Sequence, residues 1–495
     1  MSNKLVSQSA LYSLSNLFIS LAGLITFPVL TKNLTIEDYG AVGLFTITIG
    51  IIASINKLGM QHSIIRFKED LNDTGVLANI FYPSIIIISI SSMIIFILGM
   101  FFGSMSESNL FTPKAITIIT IIAALESIRS IINSILISKQ LSIPITFFSF
   151  SHRLLSLSSI ITIILFISNS SEGFIIAVLI ADILLTLFLM IWCIQKKILT
   201  SFNPKSFELG ILISVVAFGL PMLGTEAANM FHAFIDRYLI SFYLGQQDLG
   251  IYSASYNMAN IICKTLVGGL IIAIVPVYLK VWKEKGKLET EKLLSTINTF
   301  YLLLAPPIIG GLYIITGTVE IYIISKPLLI LLATEEYATA HHLLPIIATG
   351  VLLFSTNVIF AAGLQIEKKP KRILQFVLES LIINSTLNII FIPKYGITAA
   401  SLITVLSYLW MSIRLGIEGR KILTTTFNIW LGIRSLSYTI IMLSITMNIE
   451  TNNNLFDLIT RIAAGGCIFI ILTLTLEPSF RSILSAEIKK KFNYS

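Results

Sequence analysis

Fourteen long apolar stretches occupy almost the whole 495-residue chain, and the segments between them are too short to form a soluble domain. A helix needs about 20 apolar residues to cross the hydrocarbon core of a bilayer, and a helix satisfies its own backbone hydrogen bonds there. The sequence therefore predicts an all-α integral membrane protein with about 14 transmembrane helices. The stretches are 9–31, 40–63, 78–102, 115–137, 144–168, 173–194, 209–240, 249–279, 293–318, 342–364, 373–392, 397–417, 429–449 and 457–476.

Composition and charge agree with this class. The chain is 55% hydrophobic and only 12% charged, which leaves too little polar surface for a soluble protein of this length. The net charge of +8 would suggest a nucleic-acid partner in a soluble protein. Here, if both termini are cytoplasmic, most of the 34 Lys and Arg residues fall in inner loops, as the positive-inside rule requires. We therefore expect cytoplasmic termini and no nucleic-acid partner.

The sequence carries no motif of a soluble catalytic or nucleotide-binding site. A P-loop, a zinc-protease HExxH, a nucleophile elbow and the kinase motifs are all missing. Cys193, Cys263 and Cys467 lie singly inside apolar stretches, without the spacing of a metal site or a redox pair. We therefore expect no cofactor, no bound metal and no enzymatic activity.

A short motif occurs twice. Residues 34–40 and 244–250 both read Leu-x-x-x-Asp-x-Gly, 210 positions apart, and each opens a long apolar stretch. This placement indicates a parallel internal repeat. In each copy we expect the aspartate, Asp38 or Asp248, to cap the helix that follows it.

The repeat predicts two six-helix lobes and two additional helices. The N-lobe spans 1–195 with helices 1–6, and the C-lobe spans 205–420 with helices 7–12. Residues 429–476 form helices 13 and 14, and 477–495 form a basic cytoplasmic tail. Two similar bundles are expected to rock against each other around one cavity. A further possibility is that 327–333 forms a re-entrant segment or extends a helix.

Ionisable side chains inside the apolar stretches are the candidate functional residues, because such groups are costly in lipid and usually face a cavity or a partner. Basic groups suit a phosphate-bearing substrate, since Arg binds phosphate oxygens through paired donors. A carboxylate inside a span is a candidate for ion coupling. The substrate-binding candidates are Arg129, Arg153, Lys264 and Lys57, with Arg66 at the inner opening, and the ion-coupling candidates are Asp182 and Glu226.

The same charges have a simpler interpretation, in which they neutralise one another inside the protein. Glu126 and Arg129 are three residues apart on one helix and thus able to pair. Asp182 is also a candidate partner for Arg153 or Arg129. The sequence leaves both interpretations open.

Several segments together resemble a known transporter family. They are 16–40, 58–66, 218–221, 235–240, 250–256, 276–278 and 393–396, which include Leu-Gly-Met-Gln-His-Ser-Ile-Ile-Arg at 58–66 and Pro-Lys-Tyr-Gly at 393–396. In their order and spacing the chain resembles the polysaccharide flippase family (Wzx-type O-antigen transporters) of the multidrug/oligosaccharidyl-lipid/polysaccharide exporter superfamily. The resemblance extends along essentially the whole chain.

The resemblance implies a MATE-like transporter with two lobes around a central cationic cavity. It implies transport of an oligosaccharide on an undecaprenyl diphosphate carrier, such as an O-antigen or capsule repeat unit, from the cytoplasmic to the periplasmic leaflet. Members of this family are expected to work by alternating access coupled to an ion gradient. The implied location is the bacterial inner membrane, and the implied partners are the lipid-linked oligosaccharide, membrane lipids and other membrane proteins of polysaccharide assembly.

Two other functions remain open from the residues alone. A drug/cation antiporter of the same superfamily would favour acidic over basic cavity residues, and Asp182 and Glu226 are consistent with it. A membrane polysaccharide polymerase or glycosyltransferase would need a sizeable outer loop, whereas the outer loops here are short.

Overall fold

The computed structural model describes most of the chain. The described residues are 22–67, 71, 73–105, 111–139, 141–200, 203–315, 333–334, 336–337, 341–425, 428–449, 454–477 and 481. Within these residues every regular element is a helix, and ten helices are long and apolar enough to cross a membrane. The predicted class, an all-α multi-pass membrane protein, is confirmed.

The described residues of the first half form eight α-helices. They are α1 (22–33), α2 (Ile36–Asn56), α3 (Met60–Phe67), α4 (Asp73–Val76), α5 (Tyr82–Met105), α6 (Pro113–Ser138), α7 (Ser142–Phe166) and α8 (Ser171–Gln195), with a π-helical turn, Leu77–Phe81, between α4 and α5. Local sequence explains several of the starts: the side chains of Thr35, Thr112 and Ser170 each accept a hydrogen bond from a backbone N–H of the first turn.

The second half contains longer helices. They are α9 (Leu209–Leu244), α10 (Gln246–Cys263), α11 (Gly269–Ile315), α12 (Leu343–Phe360), α13 (Ala362–Ile366), α14 (Pro370–Arg420), α15 (Ile429–Thr446) and α16 (Asn454–Leu476). A π-helical turn, Lys264–Gly268, joins α10 to α11. Gly286 (φ 77°) and Gly396 (φ 66°) have non-helical backbone and divide α11 and α14 into two segments each. Such positive φ values favour glycine.

Most predicted spans correspond to described helices, with differences at their ends and breaks. The predicted stretch 40–63 is interrupted, because Leu58 (φ 45°) and Gly59 (φ 74°) separate α2 from α3. The stretches 373–392 and 397–417 are the two segments of α14. Parts of three predictions lie outside the described residues: the first half of the first helix, the re-entrant alternative at 327–332 and the basic tail beyond Arg481.

The chain forms two compact units. Unit 1 contains the described residues of Met1–Ala254 with Lys264–Ala273 and Pro370–Ser407, and unit 2 contains Ser255–Cys263, Ile274–Lys369 and those of Tyr408–Ser495. The apolar core of unit 1 includes Met60, Ile131 and Leu189. A core cluster of unit 2 includes Tyr278 and Leu294. The lobe boundaries expected from the repeat, at 195, 205 and 420, remain a prediction.

The two copies of the repeated motif pack against each other within unit 1. A Cβ added to Gly40 would lie 2.6 Å from the backbone oxygen of Gln246, and one added to Gly250 would lie 2.1 Å from the oxygen of Ile36. Only glycine permits this approach of α2 to α10. The prediction that Asp38 caps α2 is wrong, because Thr35 caps this helix. The Asp38 carboxylate instead accepts a hydrogen bond of 2.9 Å from the Ser171 N–H of α8.

Candidate functional site

Three helices of unit 1 bring Arg129, His152 and Asp182 together. Asp182, on α8, is only 2% exposed, and its Oδ1 lies 2.7 Å from Arg129 Nη1 of α6 and 2.6 Å from His152 Nε2 of α7. Arg129 also lies 3.5 Å from the Thr186 hydroxyl. A buried carboxylate of this kind is stabilised when positive groups and hydrogen-bond donors surround it. Arg129 and Asp182 therefore pair with each other, as the internal-pairing interpretation describes. The structure adds His152, which the sequence analysis did not select.

A polar cavity of 250 Å³ adjoins this cluster. In the described part of the chain, the buried Nε of Arg153 and the buried Oδ1 of Asn133 have no hydrogen-bond partner. Buried polar atoms are nearly always satisfied in folded proteins, so these two atoms are candidates for contact with water, an ion or a ligand. The cavity is lined by Arg129, Asn133, Phe148, Ser149, His152, Arg153, Leu185 and Leu189.

A second charged cluster, also in unit 1, surrounds Glu226 of α9. Its carboxylate lies 2.7 Å from Gln61 Nε2, 3.3 Å from Lys57 Nζ and 3.4 Å from His62 Nε2. These three partners come from the two sides of the break between α2 and α3. The turn at Gly59 therefore lets both helix ends direct side chains to one carboxylate.

The break is held closely against α9. A Cβ on Gly59 would lie 2.0 Å from the backbone oxygen of Gly219, so the two backbones are in direct contact. Ser63 of α3 donates a hydrogen bond of 2.8 Å to the Val215 oxygen. These contacts place α3 along the first half of α9 and position Gln61 and His62 toward Glu226.

Two of the selected cations lie apart from both clusters. Lys264 opens the π-helical turn after α10 and is exposed. Arg66 lies in the last turn of α3, where its guanidinium stacks 5.8 Å from the centroid of the Phe67 ring. The structure thus joins Arg129 with Asp182, and Lys57 with Glu226, while Arg153 lines the cavity.

A third acidic side chain, Asp236 of α9, is buried with 1% exposure. The Tyr252 hydroxyl donates to its carboxylate, the Arg237 N–H donates at 2.8 Å, and the Thr404 hydroxyl lies 3.4 Å away. The sequence analysis did not select Asp236. Its hydrogen-bond donors are two hydroxyls and a backbone N–H, whereas cationic or protonatable side chains meet Asp182 and Glu226.

The sequence analysis missed His152, Gln61, His62, Asn133 and Ser149. His152 precedes a selected residue, Arg153, and Gln61 and His62 lie inside the quoted segment 58–66. A polar side chain within an apolar stretch was the available signal. Which carboxylate each would meet depends on the neighbouring helices, and no local pattern contains that information.

Unit 2 contains a larger and mainly apolar cavity of 780 Å³. Helices α11, α12, α14 and α15 line it. Its polar lining side chains include Asn298, Tyr301 and Arg420, and the Tyr301 hydroxyl donates to the backbone oxygen of Leu352. The apolar lining includes Leu302, Ala305, Ile309, Leu352, Leu353, Ile413, Ile433, Leu436 and Ile440.

Among the described residues, no group of three or more His, Cys, Asp or Glu side chains is placed to hold a metal ion.

Comparison with known proteins gives one family match and two curated relatives. The family described as "Polysaccharide biosynthesis protein" matches residues 5–282. The succinoglycan biosynthesis transport protein ExoT of Rhizobium meliloti is 22% identical over 338 residues, 66% of this chain and 61% of that protein. The probable low-salt glycan biosynthesis flippase Agl15 of Haloferax volcanii is 24% identical over 214 residues, 43% of each chain. The match thus covers less than two thirds of either relative.

Solved structures show the same fold. The lipid II flippase MurJ in an inward closed conformation superposes with a TM-score of 0.75 at 15% identity, over 96% of this chain and 100% of that chain. An inward-facing multidrug resistance MATE family transporter of the MOP superfamily gives a TM-score of 0.60 at 16% identity, over 83% of this chain and 97% of that one. At these identities the likeness establishes the architecture.

Proposed function

Because the chain belongs to the polysaccharide biosynthesis protein family, we propose that it moves a lipid-linked oligosaccharide across a membrane by alternating access. It acts as a transporter and not as an enzyme. Curated relatives named as a glycan transport protein and a glycan flippase support this assignment. The proposed cargo is a sugar unit on a polyprenyl diphosphate carrier, moved from the cytoplasmic to the periplasmic leaflet of a bacterial inner membrane.

The observation that carries the proposal is the cavity of unit 1. Arg153 and Arg129 line it, and the Arg153 Nε is buried without a partner. A cation inside a membrane-spanning helix is costly unless an anion or another polar group meets it. Phosphate oxygens satisfy guanidinium donors in pairs. The cavity therefore suits the phosphate part of the proposed cargo, and we assign that role first to Arg153 and then to Arg129.

Lys57, Arg66 and Lys264 remain proposed contributors of positive charge along the transport path. Arg66 and Lys264 lie apart from the Arg153 cavity, and Lys57 is already paired with Glu226. We propose that these three steer the anionic headgroup electrostatically and contribute less to its affinity than Arg153 does.

The cavity of unit 2 offers, by itself, a place for an apolar chain. Its 780 Å³ and mainly aliphatic lining suit part of an isoprenoid tail, which has no polar atoms to satisfy. Replacing Ala305 by Phe would fill part of this space and is expected to reduce transport. The matched control is Ala463→Phe, on the exposed face of α16.

The antiporter alternative is less well supported. A carboxylate that binds a cationic drug must be available to it, whereas Asp182 is engaged by Arg129 and His152, and Glu226 by Lys57 and His62. Two positive or protonatable neighbours at each carboxylate disfavour a further cation. Ion coupling through Asp182 or Glu226 remains part of the proposal. An ion that binds at either carboxylate would change the net charge of the ion pair that this carboxylate forms.

Complementation of a flippase-null strain tests the function. Arg153→Ala is expected to abolish surface polysaccharide at a normal protein level. Lys114→Ala removes an exposed cation whose partner is Glu172 and is expected to complement fully. Normal complementation by Ala variants of Arg129, Arg153 and Lys264 would rule out the cationic site. A fall in protein level would instead indicate a structural role.

A cross-link between the two copies of the repeated motif tests alternating access. Because Gly40 and Gly250 bring α2 and α10 into contact, cysteines placed near Asp38 and Asp248 are expected to form a cross-link. The cross-link should stop transport, and a reductant should restore it. Full transport with the cross-link formed would show that α2 and α10 need not separate there.

A further inference from the structure

Glu126 is a carboxylate inside a membrane-spanning helix, and the internal ion pairs leave it out. A pair with Arg129 is possible from the sequence, but the Arg129 guanidinium instead lies 2.7 Å from Asp182. In the part of the chain that the structure describes, no hydrogen bond or ion pair engages the Glu126 carboxylate, which is partly buried. A charge inside a span is costly unless a partner or a cavity meets it. Glu126 is therefore a candidate for contact with the cargo.

The position of Glu126 on α6 continues the lining of the unit 1 cavity. Arg129 and Asn133 line this cavity from α6, and Glu126 precedes them by three and seven residues. Side chains at these spacings lie on the same face of a helix, so Glu126 lies on the cavity face, about one helical turn before Arg129. Its electrostatic neighbours include Lys57 of the Glu226 cluster as well as Arg129.

We infer that Glu126 accepts hydrogen bonds from the hydroxyl groups of the first sugar of the cargo, while Arg153 and Arg129 bind the phosphate. The inference rests on the proposed function and deepens it, because it assigns a residue that distinguishes a sugar-bearing carrier from a bare one. In the proposed cargo the first sugar is bonded directly to the diphosphate. A diphosphate bound in the cavity thus places this sugar beside it.

The dimensions of the cavity separate the phosphate from the sugar. Its volume of 250 Å³ is below the roughly 300–1,000 Å³ of pockets that enclose a drug-sized ligand. The cavity therefore admits the phosphate groups but not the oligosaccharide as well. The sugar then lies outside, and the face of α6 that precedes Arg129 borders that space. Glu126 supplies an acidic group on this face.

A carboxylate at this position suits neutral donors better than a cation. An ionised carboxylate only accepts hydrogen bonds, and its two oxygens offer about four acceptor sites. Sugar hydroxyls are neutral donors, and hydrogen bonds to an ionised acceptor are about twice as strong as those between neutral groups. The charges of Arg129 and Lys57 act on Glu126, and they disfavour a further cation there.

The same negative charge disfavours a carrier without sugar. Glu126 repels phosphate groups in the cavity, and a bare carrier has no hydroxyl on this side to offset the repulsion. Specificity often combines an unfavourable interaction with the wrong ligand and a favourable one with the right ligand. Glu126 thus lowers the affinity for every polyprenyl diphosphate and restores it only for those that carry a sugar.

Two synthetic lipids of equal charge isolate the contribution of the sugar. One is a short-chain polyprenyl diphosphate that carries a single neutral hexose or N-acetylhexosamine. The other carries a methyl ester in place of the sugar. Each is titrated into full-length protein in detergent, and the apparent Kd follows from the rise in Tm. The quantity compared is the ratio of the two Kd values.

The wild type is expected to prefer the sugar lipid by about 10- to 100-fold, the range of a hydrogen bond to a charged group. In Glu126→Ala the ratio should approach one. In Glu126→Gln, which keeps an acceptor without the charge, it should be intermediate. The methyl lipid should bind Glu126→Ala more tightly than the wild type, by up to about tenfold. A purely structural role would not produce this gain.

Two control variants accompany these measurements. Glu208→Ala removes an exposed carboxylate at the start of α9 that makes no capping hydrogen bond, so both Kd values should stay unchanged. Arg153→Gln should weaken both lipids by a similar factor and leave their ratio intact. Because Glu126→Ala removes no hydrogen bond or ion pair, we expect the Tm of the ligand-free variant not to fall.

The outcomes separate this inference from the proposed function. Equal binding of the two lipids to the wild type would overturn the inference alone, and so would an undiminished sugar preference in Glu126→Ala. A lower ligand-free Tm with an unchanged ratio would assign Glu126 a structural role instead. Failure of both lipids to bind the wild type would overturn the proposed function and the inference together.

Discussion

Replacing Gly59 by Ala tests how the Glu226 cluster is built. Gly59 lies at the break between α2 and α3 with φ 74°, and an added Cβ would lie 2.0 Å from the backbone oxygen of Gly219. The substitution changes no charge and removes no hydrogen bond from Glu226. Any effect must therefore come from the backbone conformation and from the contact between α3 and α9.

The expected magnitude follows from two effects. A left-handed conformation costs a residue with a Cβ about 1–2 kcal/mol. The contact with backbone cannot be relieved by rotating a side chain, and overpacking of this type costs about 1–3 kcal/mol. The expected destabilisation of Gly59→Ala is thus about 2–5 kcal/mol, a large part of the roughly 5–15 kcal/mol that stabilises a typical folded protein.

Three other glycines separate these effects. Gly245 has φ 89° and no atom within 4 Å of an added Cβ, so Gly245→Ala should show the conformational cost alone. Gly219 has helical backbone, but its Cβ would lie 2.7 Å from the Leu58 oxygen, so Gly219→Ala should show the steric cost alone. Gly210 is also helical and has open space around it, so Gly210→Ala should be neutral or should stabilise the protein by up to about 1 kcal/mol.

The assay is thermal unfolding of the purified full-length protein in detergent, followed by intrinsic fluorescence. Unfolding of a membrane protein of this size need not be two-state, so the rank of the Tm values is the result that matters. Gly59→Ala should have the lowest Tm, and Gly210→Ala should remain near the wild type. Tm values for these two variants within about 1 °C of each other would refute the reasoning.

Three further predictions concern charge and topology. Glu226→Gln should lower the free energy of unfolding by about 1–2 kcal/mol, because Lys57 loses its half-buried counter-charge, and the double variant with Lys57→Met should lose less than the two single effects combined. Asp182→Asn should make transport into vesicles insensitive to an imposed ion gradient, and an unchanged gradient response in this variant and in Glu226→Gln would contradict coupling through either carboxylate. Reporter fusions at Lys285 and Lys369 should give cytoplasmic signals, and a periplasmic signal at either would reverse the proposed orientation.

The fold class was predictable from the sequence because the membrane requirement is local. A stretch such as 173–194 must be helical in a bilayer whatever its neighbours are, and it corresponds to Ser171–Gln195 in the structure. Breaks were less predictable. The positive φ values at Gly59 and at Gly396, which divides α14 between 373–392 and 397–417, depend on how adjacent segments pack.

For the candidate site, the sequence determined which stretches carry charge, and it placed Arg129, Asp182, Lys57 and Glu226 inside membrane-spanning helices. Only the tertiary structure decided that Asp182 meets Arg129 and His152 while Arg153 faces a cavity. The side-chain direction turns by about 100° with each helical residue, so His152 and Arg153 both line the cavity, but only His152 forms an ion pair with Asp182. Their partners depend on the rotation and depth of neighbouring helices, which hydropathy does not specify.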